Sequence, residues 1–239
     1  MDDLSKLIEA RHSSRGDLDR RRPISKQDLM KILEAARWSP TPHNMQNFEI
    51  IAIDDEDVLE KIGNIKSKVT LDFLKENLQQ LSFSEEELLR KKVGLLGTWF
   101  PKEWRDPAKL GEAARKARPY PVSETLDGAR LLLVVMYDSR KRAPDSPGDF
   151  LGILGLGCIM ENMWLMAQSL GIGFHIMSEF GEQSVENEAK KILNIPKRMK
   201  IAYACRLGYP VSKPGKRLRV RREVGDFTHK NRFGGKGID

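Results

Sequence analysis

The sequence predicts an α+β fold, in which helices surround a mixed, mostly antiparallel sheet. Segments of strand composition and segments with helical spacing follow one another without the strict alternation that a parallel βαβ sheet requires. The unbroken apolar run from Leu131 to Met136 predicts a buried central strand. The segment from Ile153 to Leu170 is apolar nearly all round, which predicts a helix buried in the core or against another subunit.

The N-terminal quarter of the chain gives a helix, a loop and a strand in that order. Apolar residues at helical spacing in residues 4–8 predict a first helix, which ends before a basic turn at Arg11. Ser25 begins a capping-box-like sequence, and the helix that follows it stops at Trp38-Ser39-Pro40. A loop over residues 40–47 then leads into a predicted strand from Phe48 to Ile53.

The middle of the chain is harder to place on the sheet. Residues 56–92 have helical composition, and Ser84 with the three glutamates after it has the pattern of a capped helix start. The aromatic and proline-rich stretch from Trp99 to Pro121 is typical of an insertion rather than of a core element. The later elements predicted are a strand from Phe174 to Met177, a helix from Val185 to Leu193 and a strand from Ile201 to Leu207.

Length and composition indicate one cytoplasmic domain spanning residues 1–239. The chain has 239 residues, of which 40% are hydrophobic, and this suffices for one substantial core. It contains no run of about 18 apolar residues, and its first residues lack the pattern of a signal peptide. Cys158 and Cys205 are far apart and in apolar surroundings, so buried, reduced thiols are expected.

The charge favours anionic partners without choosing among them. The formal net charge is +7, which suits nucleic acid, phosphorylated cofactors or acidic surfaces. The glycine-rich segments lack the spacing of a dinucleotide fingerprint or a P-loop. The four histidines are scattered, so no metal site is predicted.

Two basic clusters are candidates for holding an anion. In Arg11-His12-Ser13-Ser14-Arg15, two guanidinium groups and the hydroxyls between them suit a phosphate or an anionic ring edge, although spacing alone favours a solvated helix end. The second cluster lies near the C-terminus, where an extended backbone places Arg217, Arg219 and Arg221 on one face. That face suits a phosphate dianion, a nucleic-acid-binding arm or simply a solvated loop.

Several short segments, taken in chain order, form one pattern. They are Arg11, Ser13 and Arg15 in the first turn; Pro23-Ile24; the loop Ser39-Pro40-Thr41-Pro42-His43-Asn44-Met45-Gln46; the apolar helix with Gly157, Asn162 and Ala167; Leu207-Gly208-Tyr209-Pro210; and His229-Lys230-Asn231-Arg232-Phe233. In this order they resemble the FMN-dependent nitroreductase family. Residues 56–125 are unmatched, as expected of a variable insertion, and Asn47 stands where the family usually has proline.

The resemblance implies a nitroreductase-like fold with an intertwined homodimer and FMN at the subunit interface. It implies ping-pong transfer of two electrons from NAD(P)H to a small acceptor such as a nitroaromatic or a quinone. No catalytic acid or base is assigned, because the cofactor and solvent carry the protons. The cofactor-binding residues implied are Arg11, His12, Ser13 and Arg15 from one subunit, Pro40, Thr41 and Asn44 from the other, Gln46 in the same loop, Ile176, Met177 and Ser178 beside the ring, and Arg217 and Arg219 on the phosphate.

Alternatives to this function remain open. A flavin-dependent dehalogenase or a flavin-cannibalising enzyme would have the same fold. From another class, a basic nucleic-acid-binding protein without catalysis would account for the charge. The predicted partners are a second copy of the chain and a small-molecule acceptor, with neither nucleic acid nor membrane.

Overall fold

A computed structural model describes residues 3–76, 80–212 and 218–235. Contacts within the chain divide it into two units. The first comprises Met1–Ser67 and Tyr120–Pro214, and the second comprises Lys68–Pro119 and Gly215–Asp239. The helix at residues 56–63, inside the predicted insertion, belongs to the first unit. The assignment of one domain with an insertion at about 56–125 stays a prediction.

The first unit contains most of the regular structure. The helices of the described chain are α1 (Asp3–Ala10), α2 (Lys26–Arg37), α3 (Glu56–Gly63), α4 (Leu71–Leu74), α5 (Glu85–Lys91), α6 (Leu110–Lys116), α7 (Ser123–Leu126), α8 (Phe150–Ser169) and α9 (Gln183–Ile192). The strands are β1 (Glu49–Ile53), β2 (Lys66–Ser67), β3 (Ser82–Phe83), β4 (Leu95–Leu96), β5 (Tyr120–Pro121), β6 (Leu131–Asp138), β7 (Gly173–Met177) and β8 (Met199–Gly208). Of these, α4, α5, α6, β3 and β4 lie in the second unit.

The main sheet has four strands in the order β1-β6-β8-β7. All three neighbouring pairs are antiparallel, with Glu49 opposite Met136 and Leu131 opposite Leu207. The predicted α+β class with a mostly antiparallel sheet is therefore confirmed. Because β7 pairs with β8 alone, one side of β7 is an edge of the sheet.

Both faces of the sheet are covered by helices, which explains the unbroken apolar sequence of β6. Alternate residues of a strand point to opposite faces. Leu131, Leu133 and Val135 pack in a cluster with residues of α2 and α8. Leu132 and Val134 pack in a second cluster with residues of α3 and α9. A central strand buried on both sides needs apolar residues at every position.

The long apolar helix predicted from the sequence is α8. Among the described residues it is the helix long and apolar enough to cross a membrane by length and composition, but core helices of soluble proteins meet the same criteria. Here α8 packs against α2 and the sheet. Its Cys158 is half-buried rather than buried as expected, whereas Cys205 on β8 is fully buried, and both thiols are free.

The prediction of one helical stretch over residues 56–92 is wrong in detail. Asn64 ends α3, the two-residue strand β2 follows, and Thr70 caps a new short helix. The composition of residues 56–92 stays typical of a helix across these breaks, because each helix begins or ends at a single polar capping residue. The predicted start at Ser84 is confirmed, with a full capping box between Ser84 and Glu87.

The aromatic stretch of the second unit packs on its own small cluster. Leu74, Leu110 and Ala113 are buried there, and Phe100 and Trp104 cover them. Short 3-10 helices at Gly97–Trp99, Lys102–Trp104 and Pro107–Lys109 connect the segment. The members of this cluster are not among those of the two clusters on the sheet.

Candidate functional site

The basic turn after α1 is fixed to both the sheet and the long helix. The backbone N–H of Ser14 donates to the carbonyl of Phe174 on β7 at 3.0 Å. The indole Nε1–H of Trp164 on α8 donates to the carbonyl of His12 at 3.1 Å. Ser14 is buried, while Arg15 is exposed. The turn therefore presents Arg15 to solvent from a backbone held on its inner side.

Arg11 lies against α8 rather than projecting freely. Its Nε is 3.3 Å from Glu161 Oε1, and its Cζ is 4.5 Å from the centre of the Trp164 ring. Trp164 in turn stacks on Phe174, with ring centroids 5.2 Å apart. Cation–π contact and the carboxylate together hold the guanidinium in one place. Neither Glu161 nor Trp164 was predicted from the sequence as part of the site.

Arg206 on β8 is the main residue that sequence reasoning missed. Its side chain is 2% exposed, and it donates to the carbonyls of Ser14 at 3.0 Å and Gly16 at 3.1 Å. Burial lowers the pKa of this guanidinium from its ordinary value, and nearby Asp127 opposes the shift. A lone arginine within the apolar run of β8 was the available signal.

The loop over residues 40–47 has an unusual backbone. His43, Asn44 and Gln46 all have positive φ, at 48°, 52° and 46°. The left-handed region is costly for most residues, and asparagine tolerates it best among them. The hydroxyl of Thr41 accepts from the Gln46 N–H at 3.1 Å, and Gln46 Nε2 donates to Asn44 Oδ1 at 3.1 Å. The loop is therefore stabilised by its own polar side chains.

The loop is attached to α8 at two places, its start and Pro42. At the start, Asn162 of α8 donates to Ser39 Oγ at 2.8 Å. Within the loop, Pro42 lies so close to α8 that a Cβ on Gly155 would sit 3.3 Å from Pro42 Cδ. Glycine at 155 thus permits the contact between loop and helix.

Asn47, the residue that departs from the family pattern, anchors the end of the loop. Its Nδ2 donates to the carbonyl of Asp138 at 3.0 Å, and its Oδ1 accepts from the Asp138 N–H at 3.2 Å. The Asp138 carboxylate also binds Arg140, and this hydrogen bond lowers the pKa of Asp138 to about 2. Proline at position 47 could not make either bond.

At the end of β7, main-chain groups are more accessible to a ligand than side chains are. Met177 is buried in the core below the sheet, so only its main chain is available to a ligand. Ile176 is half-buried and Ser178 is exposed, at the start of the 3-10 helix Ser178–Gly181. Nearby, burial raises the pKa of Tyr120, whose hydroxyl is 3.4 Å from Ser67 Oγ. Their position at or near the end of β7 makes these groups candidates for contact with a ligand.

Arg219 belongs to the second unit and is exposed, while Arg217 lies outside the described residues. Leu218 and Val220 on either side of Arg219 are half-buried, and Arg221 is exposed. This alternation matches the extended segment that the sequence predicted. Binding of phosphate by these arginines stays a prediction.

The structure brings some predicted site residues together and separates others within one chain. The turn contacts α8 at Glu161 and Trp164, and Ser39, just before the loop, is bonded to Asn162 between them. The loop itself packs on the helix at Gly155, about 9–14 Å along the axis from the contacts of the turn at 1.5 Å per residue. Across residues 3–76, 80–212 and 218–235, no group of three or more histidine, cysteine or acidic residues is placed to hold a metal ion.

Several solved structures with similar folds are described as nitroreductases. A nitroreductase with bound FMN from Bacteroides fragilis shares 21% identity, with a TM-score of 0.57 and coverage of 95% of this chain and 98% of that one. An FMN-dependent nitroreductase from Clostridium difficile shares 15%, with a TM-score of 0.59 and coverage of 95% and 98%. A nitroreductase family protein from Clostridium difficile 630 shares 16%, with a TM-score of 0.61 and coverage of 97% and 99%.

These likenesses confirm the fold. A comparison with curated proteins found no match. The model of the nitroreductase family matches residues 8–209, which includes the basic turn, the loop at 40–47, α8 and the full main sheet. The match over this range, on the fold just described, shows that the chain belongs to the nitroreductase family.

Proposed function

We propose that the chain is an FMN-dependent oxidoreductase that passes two electrons from NAD(P)H to a small acceptor, such as a nitroaromatic or a quinone, by a ping-pong mechanism. The observation that carries the proposal is the basic turn held against edge strand β7, in a chain of the nitroreductase family. Two proteins of similar structure are described, respectively, as having bound FMN and as FMN-dependent.

The residues at the turn fit a flat, phosphate-bearing ligand. Arg15 is exposed and Ser13 half-buried, so a guanidinium and a hydroxyl lie at the surface of the turn, and both groups form strong hydrogen bonds to phosphate. The edge of β7 presents backbone N–H and C=O groups that suit the polar rim of a planar ring. A donor set of this kind suits FMN better than it suits a metal ion, which takes carboxylates, imidazoles or thiolates.

When bound, FMN supplies the hydride transfer that no side chain can perform. The chain's own groups would bind the FMN and orient it. Arginine beside the ring stabilises negative charge as it develops, and Arg11 is held in a fixed position for that by Glu161 and Trp164. We expect a backbone N–H in the segment from Ile176 to Ser178, at the end of edge strand β7, to donate to the ring. Solvent supplies the protons.

We further propose that the active form is a homodimer in the cytoplasm, with the loop of one subunit completing the site of the other. Within one chain the turn contacts α8 at Glu161 and Trp164, whereas the body of the loop packs on it at Gly155. In addition, Phe150, Ile153 and Leu154 on α8 are each more than half exposed, at 57%, 55% and 51%. A second copy covering these side chains would bury an apolar surface that otherwise faces water.

The visible absorption spectrum of the purified protein tests the flavin. A yellow protein that releases about one FMN per subunit on heating, and is bleached by NADH or NADPH, is expected. Arg15→Ala should lose FMN, whereas Arg21→Ala, an exposed arginine outside the turn, should retain it. A colourless protein that cannot be reconstituted with FMN would refute the proposal.

The dimer is tested by mass in solution. Light scattering after gel filtration should give twice the chain mass of 27.3 kDa. Ile153→Lys places a charge on the exposed apolar face and should shift the mass towards the monomer. Retention of the dimer by this variant, or a wild-type monomer, would show that α8 is not the interface.

A further inference from the structure

Arg206 has every donor of its guanidinium satisfied inside the protein. A guanidinium carries five N–H groups, and burying one of them unpaired is costly. The five acceptors are Nδ1 of His175 at 3.3 Å from Nε, the carbonyls of Leu126 and Asp127 at 2.9 and 3.3 Å from Nη1, and the carbonyls of Ser14 and Gly16 at 3.0 and 3.1 Å from Nη2. The Asp127 carboxylate lies further away, at 3.6 Å.

The two carbonyls on Nη2 lie on either side of Arg15. A trans peptide is planar, so fixing the carbonyl of Ser14 fixes the peptide plane that enters Arg15. Fixing the carbonyl of Gly16 likewise orients the peptide plane between Gly16 and Asp17. Arg206 therefore sets the backbone on both sides of an exposed arginine from inside the protein.

The same turn is pressed closely onto the end of the sheet. Ser14 donates its N–H to Phe174 on β7. A Cβ added to Gly173 would come within 2.9 Å of the Ser14 side chain, so the approach requires glycine there. Solvent contributes little to the hydrogen bonds of Arg206, because this residue is 2% exposed. Turn, β7 and β8 are therefore hydrogen-bonded and closely packed against one another.

We propose that Arg206 is a positioning residue for flavin binding, which holds the turn over residues 13–16 in its binding shape in the absence of the cofactor. The inference deepens the proposed function and rests on it. Binding to a backbone that is already ordered avoids the entropy cost of ordering it, so this arrangement raises affinity without Arg206 itself contacting the ligand.

The test compares two changes on β8. Arg206→Lys keeps the charge but replaces five fanned donors with three on one atom, which cannot reach both segments. Leu207→Ala removes a fully buried side chain from the same strand and destabilises the core, while it leaves the Arg206 guanidinium and its bonds to the turn unaltered. Melting temperatures of both variants are measured first, so that affinities are compared at known stability.

The readout is the dissociation constant of FMN, measured by quenching of flavin fluorescence. We expect Arg206→Lys to raise the constant about tenfold or more, as loss of a supporting residue does at other sites. Leu207→Ala should change it less than about twofold, even at an equal or larger loss of melting temperature. Equal effects of the two variants, or no effect of Arg206→Lys, would overturn the proposal.

A measurement on the unaltered chain covers the case in which Arg206→Lys does not fold. Amide hydrogen exchange at Ser14, whose N–H donates to Phe174 on β7, should already be slow in the flavin-free protein, and comparable to exchange in β7. Fast exchange that slows only after FMN is added would overturn the proposal. If the wild-type chain binds no FMN at all, the proposed function itself fails. Normal FMN binding with a fast-exchanging turn removes only the role given to Arg206.

Discussion

Replacing Asn47 tests how the loop over residues 40–47 is attached to the sheet. Its amide group donates to the Asp138 carbonyl at 3.0 Å and accepts from the Asp138 N–H at 3.2 Å, across 91 positions of sequence. Each such bond contributes roughly 1 kcal/mol net, so Asn47→Ala should cost about 2 kcal/mol of unfolding free energy. For a chain of this size, that lowers the Tm by about 4–8 °C.

The chemistry of the pair allows a sharper ranking. In Asn47→Asp, the carboxylate still accepts from the Asp138 N–H but can no longer donate to the Asp138 carbonyl. Two oxygens then face each other, so Asn47→Asp should destabilise at least as much as Asn47→Ala. Gln46→Ala is the matched control, because Gln46 is exposed and its side chain donates only within the loop, to Asn44.

Thermal unfolding followed by far-ultraviolet circular dichroism gives the three values. We expect Gln46→Ala to stay within about 0.5 kcal/mol of the wild type, the usual range for exposed positions. If Asn47→Ala also falls within that range, the side chain does not anchor the loop. If Gln46→Ala costs as much as Asn47→Ala, the loss comes from the loop's internal bonds instead.

Two further perturbations test other contacts of the same region. Because Arg140 lowers the pKa of Asp138 from 3.8 to about 2, the stability that this carboxylate contributes is complete above pH 3.8 and lost as the pH falls through 2. The difference in urea midpoint between wild type and Asp138→Asn should shrink over that window, and a constant difference would contradict the assignment. Gly155→Val should lower the Tm by forcing Pro42 away, since a Cβ alone already comes within 3.3 Å. Gly152→Ala on the same helix meets nothing nearer than 3.9 Å and should not, so equal effects would argue against the contact.

The sequence predicted those elements whose pattern is local. The run from Leu131 to Met136 became the central strand because burial on both faces demands apolar residues at every position. Ser25 and Ser84 were recognised as helix starts because capping depends on residues three positions away. Composition wrongly predicted one helical stretch over residues 56–92, because it does not show where single polar capping residues divide a segment.

The sequence singled out candidate positions for the site, but it did not indicate the residues that hold them in place. Arg15 and the loop at 40–47 could be picked out because their residue types are unusual in that order. Arg206 stands out as an arginine in an apolar strand, but its role could not be predicted, because its partners are backbone carbonyls up to 192 positions away that have no signature in the sequence. Likewise the positive φ of His43 and Gln46 follows from packing of the folded chain rather than from residue type.

The acceptors of Arg206 also bear on how freely the turn can change. Four of the five are main-chain carbonyls, supplied by residues 14, 16, 126 and 127. A carbonyl is present whatever the side chain, so mutations at these positions that fit the space leave the scaffold intact. The turn can therefore exchange its side chains, and with them its ligand preference, while one residue of β8 keeps its backbone shape. Directed evolution of specificity would do well to randomise the turn and leave position 206 untouched.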